Sequence, residues 1–201
     1  MSFHPKMAYD ATFHKSSRTL EDEGPPFEYT PERRARFDEI IRRYPPDRRR
    51  SAVLPALYLA QDQQGYITAN AIRHVAELLG ITRADVEDVV SFYTMFYTKP
   101  VGRFVLQVCR TLSCALNGAE RLTEELSSTL GIRPGATDPT GTFTLLEVEC
   151  LGACDRAPVV MVNDAWHECQ RPEDAAKLVQ DLRTRGEAAL SGCLHVVERK
   201  A

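Results

Sequence analysis

Phe104-Val-Leu-Gln-Val-Cys109-Arg-Thr-Leu-Ser-Cys114 is the stretch on which the rest of the chain turns. Phe104, Leu106 and Val108 alternate at the period of two that marks a strand, and that strand delivers Cys109 to its end. Ser113 is placed to cap a helix running on to Leu130 and Gly131. A second segment repeats the arrangement, with a strand predicted from Phe143 to Glu149 that delivers Cys150-Leu-Gly-Ala-Cys154. Four thiols are thereby expected at one edge of a small sheet.

Converging thiolates bind either an iron-sulfur cluster or a structural zinc, since soft sulfur ligands suit both. Four residues separate the first pair, three the second, and 35 lie between Cys114 and Cys150. Zinc sites typically use tight C-x2-4-C pairs around one small ion. A two-iron cluster is wider and takes two thiolates on each iron, so the looser loops favour iron-sulfur over zinc, with a redox dithiol or inert core cysteines as further readings. Gly152 either lets backbone N–H groups approach sulfur closely or simply permits a tight turn. A helix N-terminus following Cys109 would add about half a positive charge beside the thiolates. Cys169 and Cys193 lack paired spacing and read as spectators.

Downstream, Val159 to Val162 reads as a third strand, Asn163-Asp164 as a turn, Ala165 to Glu168 as a fourth strand, and Pro172 opens a last helix to Arg185. Upstream the period changes to that of helices. Thr30 is an N-cap with Pro31 at the first helical position, and Phe37, Ile40, Ile41 and Tyr44 line one face. A second helix closes at Gly65, with Pro55 marking either a kink or the true start. Thr68 caps a third that ends at Gly80, and Thr82 with Asp85 opens a fourth. The expected organisation is a tail over 1–29, free or wrapped on a partner, a helical bundle over 30–98, a four-stranded domain over 99–186, and a C-terminal tail over 187–201.

The chain has 201 residues, 43% of them hydrophobic, and a net charge of −3, as in ordinary water-soluble globular proteins. No apolar run approaches the roughly 18 residues that span a bilayer. The first 29 residues show no signal or transit pattern, so the expected address is a bacterial cytoplasm. None of the eleven glycines makes a G-x-G, so no dinucleotide fingerprint is visible. The arginines between Arg33 and Arg50 are interspersed with Glu32, Asp38, Glu39 and Asp47, which fits a solvated or partner-facing surface better than a nucleic-acid groove. Residues 69 to 90 could pass for a helix-turn-helix, the basis of a remote reading as an iron-sulfur DNA-binding sensor. Its second helix, however, offers Arg83 and then Asp85, Glu87 and Asp88 to the bases. Phe92, Tyr93 and Phe96 are expected to be core of the bundle or of the seam between the two domains.

The cysteine pattern, together with Gln64-Gly-Tyr-Ile, Ser91-Phe-Tyr-Thr-Met-Phe96 and Glu149-Cys-Leu-Gly-Ala-Cys-Asp-Arg-Ala-Pro158, resembles the thioredoxin-like 2Fe-2S ferredoxin family over roughly residues 32 to 185. Its best-known members are the NuoE-type small peripheral-arm subunits of respiratory complex I (NADH:quinone oxidoreductase). Related chains serve NAD-reducing hydrogenases and formate dehydrogenases. The resemblance implies a thioredoxin-like domain lacking the usual first strand and helix, behind a small helical bundle. It implies one 2Fe-2S cluster held by Cys109, Cys114, Cys150 and Cys154, with no substrate-converting site on this chain. FMN and NADH would bind a NuoF-type partner, with a NuoG-type iron-sulfur subunit beside it. Membrane association would be indirect, on the cytoplasmic side of the inner membrane. The loop Gly135–Gly141 and the stretch Trp166–Cys169 depart from the family's usual form.

Overall fold

Thr30 accepts a hydrogen bond from the Arg33 amide and starts α1 (Pro31–Ile41) in the computed structural model, which describes residues 24–192. A 3-10 segment (Pro46–Ala52) leads into α2 (Val53–Gln64). Pro55 thus lies in the first turn of α2, where a missing N–H costs no helical bond. Thr68 caps α3 (Ala69–Leu79), and Thr82 with Asp85 forms a reciprocal capping box on α4 (Arg83–Phe92). Leu57, Ile67, Ile72, Val75, Val86 and Phe96 meet in the core of this first unit, which ends at Pro100. Gln61 fastens the segment after α4, its side-chain amide donating to the Met95 carbonyl and accepting from the Tyr97 amide, each at 2.8 Å.

Phe27 and Tyr29, expected in a tail, are buried in this core, and the Tyr29 hydroxyl donates to the Ala56 carbonyl at 2.6 Å. Two aromatic rings in a segment without helical period carry no pattern signal, yet they bury as much apolar surface as periodic ones. The rest of that tail, and residues 193–201 with Cys193, lie outside the described residues.

The second unit begins at Val101. Its sheet has the order β2-β1-β3-β4, from β1 (Phe104–Cys109), β2 (Phe143–Val148), β3 (Val160–Val162) and β4 (Ala165–His167). β1 runs parallel to β2 and antiparallel to β3. Every residue of β1 is buried, so both of its faces are covered and the alternation seen in the sequence does not separate core from solvent. Asn163, at φ +52° in the β3–β4 turn, accepts from the Val105 amide and donates to the Arg103 carbonyl, tying the turn to β1.

The single helix expected from Ser113 to Leu130 is instead two, α5 (Leu112–Leu116) and α6 (Ala119–Leu130). Gly118 at φ +92° breaks the run, and the Asn117 side chain turns back to the Ser113 carbonyl at 2.7 Å. The N-cap position of α5 belongs to Thr111, not Ser113. α6 and α7 (Ala175–Arg185) pack together, and Leu122, Leu126, Val179 and Leu182 share the core with the sheet. Gly186–Gly192 continues as 3-10 turns with Ala189 buried, so the chain stays ordered beyond the expected boundary at 186. The architecture is a helical bundle followed by a four-stranded thioredoxin-like domain.

Candidate metal centre

Parallel pairing of β1 with β2 is what brings the two cysteine segments together. In register, Cys109 lies beside Val148, so both strands run out at one sheet edge with Cys150 two residues further on. Arg110 donates its amide to the Val148 carbonyl at 3.0 Å, and its guanidinium meets the Glu149 carboxylate at 2.8 Å, joining the two loops. The Cys109 amide donates to the Val159 carbonyl at 3.1 Å, which holds the chain after the second pair against the first.

All four thiols are free of disulfides; Cys109 and Cys114 are buried, Cys150 and Cys154 exposed. Cys150 Sγ and Cys154 Sγ are 3.6 Å apart, and Cys109 is hydrogen-bonded to Cys114. The Thr111 hydroxyl lies 3.2 Å from Cys109 Sγ. Amides of Leu151, Gly152 and Val159 are directed at Cys109, Cys150 and Cys114. Gly152, at φ +84°, places its N–H 3.4 Å from Cys150 Sγ, so it makes both the turn and the close approach to sulfur.

These contacts divide the thiols electrostatically. Burial works against ionisation of Cys109, but hydrogen bonds from Thr111 and the Leu151 amide outweigh it and hold the thiol below its ordinary pKa. Burial, with the hydrogen bond to Cys109, pushes Cys114 up to about 11. The Gly152 amide, followed by Cys154 and Thr111, lowers Cys150, and Cys154 is raised as its partner. The helix-dipole contribution expected at Cys109 is replaced by discrete donors, because α5 has only five residues.

Four thiols surrounded by hydroxyl groups and the backbone amides of Thr111, Leu151, Gly152 and Val159 fit a thiolate-bound iron-sulfur group, whose sulfurs accept such hydrogen bonds. Among the described residues no three His, Cys, Asp or Glu side chains are grouped as ligands of a single ion. The thiols stand as two pairs, with Thr111 beside Cys109 in the first. Cys169 is exposed beyond β4. The hydroxyls of Thr111 and Ser113 and the Leu151 and Val159 amides carry no motif. The one signal for Thr111 is a cap-forming residue lying between two ligand-type cysteines.

Elsewhere, Phe96 is core but Phe92, also expected to be core, is 78% exposed, because α4 ends there and its ring packs only edge-on against Tyr93. α3 and α4 do form a helix-turn-helix, with Arg83 paired to Glu87 and Asp85 held by Thr82 and Arg50. Among the described residues no helix is long and apolar enough to cross a membrane.

A family model described as thioredoxin-like [2Fe-2S] ferredoxin matches residues 37–183. An NADH-quinone oxidoreductase subunit of Rhizobium meliloti is 48% identical over 134 residues, 67% of this chain and 79% of that protein. NADH-quinone oxidoreductase subunit 2 of Thermus thermophilus is 44% identical over 148 residues, 73% of this chain and 82% of that protein. Among solved structures, an NAD+-reducing [NiFe]-hydrogenase in the H2-reduced state aligns with a TM-score of 0.58 at 19% identity, over 66% of this chain and 22% of that one, a likeness of fold.

Proposed function

Since the chain belongs to the thioredoxin-like [2Fe-2S] ferredoxin family, we propose that it is the small electron-transferring subunit of an NADH:quinone oxidoreductase, with its cluster held by Cys109, Cys114, Cys150 and Cys154. The supporting observation is the meeting of both cysteine pairs at the shared end of β1 and β2. When bound, the 2Fe-2S cluster takes up and releases one electron at a time.

The chain's own residues hold and shield that group. Cys109 and Cys114, both buried, and Cys150 and Cys154, both exposed, would hold it through their thiolates. The Leu151, Gly152 and Val159 amides, with the Thr111 hydroxyl, donate to sulfur and favour the charged ligand state. FMN and NADH bind a NuoF-type partner, with a NuoG-type iron-sulfur subunit in the same assembly on the cytoplasmic side of the membrane. The exposed aromatic Phe92 on the helical unit is available for such a partner. The equivalent subunit of an NAD-linked hydrogenase or formate dehydrogenase is the second reading, supported by fold alone.

Purifying the chain with its native partners tests the assignment. The expected assembly contains FMN, oxidises NADH with a quinone as acceptor, and shows a reduced 2Fe-2S electron paramagnetic resonance signal assignable to this chain. Co-purification with a nickel or molybdenum subunit and no quinone activity would replace it by the second reading.

A further inference from the structure

Thr111 sits at the N-cap position of α5 with extended backbone, φ −79° and ψ 172°. A threonine there ordinarily turns its hydroxyl to an amide of the first helical turn. Thr30, Thr68 and Thr82 all do so in this chain. Thr111 does not: its side chain makes no cap hydrogen bond. Its Oγ1 lies instead 3.2 Å from Cys109 Sγ. The hydroxyl therefore faces a ligand-type sulfur where two loops 39 residues apart in sequence are joined by Arg110 and Glu149.

We propose that Thr111 is a positioning residue for the 2Fe-2S group, its hydroxyl serving the sulfur of Cys109 and raising the potential at which the cluster is reduced. This rests on the four cysteines being the ligands. An iron-bound cysteine sulfur carries no proton, so at such a sulfur the hydroxyl has to be the donor. Reduction adds negative charge that spreads onto the sulfurs. A donor aimed at them stabilises the reduced form more than the oxidised one, and hydrogen bonding to sulfur is among the factors that set such potentials. Arg110 and Glu149 lie on the same two loops, with their ion pair largely solvent-facing on the Glu149 side.

The test is a redox titration of the reduced-cluster paramagnetic signal in the full chain, with iron and sulfide analysed in parallel. Thr111→Val keeps the shape and loses the donor; Thr111→Ser keeps the donor. The valine variant is expected to retain two irons and two sulfides and to titrate at a lower potential, with the one-electron equilibrium shifted roughly fivefold to tenfold, tenfold being 59 mV. The serine variant is expected within about twofold of the parent, since the donor is kept. Thr111→Ala supplies the same reading if the valine variant does not load its cluster. An unchanged potential in the hydroxyl-free variants overturns the proposal. So does a serine variant displaced as far as valine, which would make the effect one of methyl packing. A parent chain with no iron would instead sink the ligand assignment and is distinguished by the parallel analysis.

Discussion

At the scale of single residues, each cysteine pair has one thiol lowered by donors and one raised, Cys114 chiefly by burial and Cys154 chiefly by its hydrogen bond with Cys150. The cysteines were legible from spacing and from the strands that deliver them. Their hydrogen-bond partners were not, because most are backbone amides and any residue type supplies an amide. His74 carries a separate prediction. Its Nε2 accepts from the Tyr29 amide at 3.3 Å, and its ring packs edge-on against Phe27 and Tyr29. Burial lowers its pKa, against the opposing pull of Glu28 and Glu77. The unfolded chain then takes up the proton first as pH falls, so the stability contributed by neutral His74 is whole above the ordinary histidine pKa of about 6.5. It is lost as pH drops from there through the lowered folded value. In urea denaturation followed by helical circular dichroism, the parent is expected to lose more stability between pH 7.5 and pH 5 than His74→Gln. Equal losses would show that His74 is not held neutral by the fold.

At the scale of elements, helix ends read well and helix interruptions did not. Thr30, Thr68 and Thr82 each cap a helix as their position suggests, because a side-chain oxygen next to orphan amides is a local arrangement that the sequence states directly. The break between α5 and α6 was missed because the apolar period carries on across Asn117-Gly118. It is a backbone event, set by Gly118 at φ +92°. Gly118→Ala is therefore expected to cost about 1–2 kcal/mol of unfolding free energy in chemical denaturation, although open space surrounds the position. No loss would contradict the left-handed conformation there. Gln61→Ala is a second case, removing both bonds that hold the Met95–Tyr97 segment to α2. A loss of roughly 1–3 kcal/mol is expected from the backbone groups it strands, and a loss near zero would mean that water replaces the amide without cost.

At the scale of the whole molecule, the change of period near Lys99–Arg103 announced two kinds of architecture, and the chain does change from helices to sheet there. Their edges were less legible. Phe27 and Tyr29 join the helical core from an aperiodic segment, and Gly186–Gly192 extends the sheet unit through Ala189. In both places burial is decided by what the folded surface offers, which local period does not encode. The proposed function depends on how the sheet unit is wired: the parallel β1–β2 pair ends the two cysteine-bearing loops at one edge of the sheet. The most direct measurement is the iron and acid-labile sulfide content of the anaerobically purified chain, taken alongside Cys109→Ser, Cys114→Ser, Cys150→Ser, Cys154→Ser and Cys169→Ser. About two irons and two sulfides per chain are expected, diminished in the first four variants and retained in Cys169→Ser. One zinc with no sulfide, or full iron in a chain lacking any of the four cysteines, would contradict the assignment.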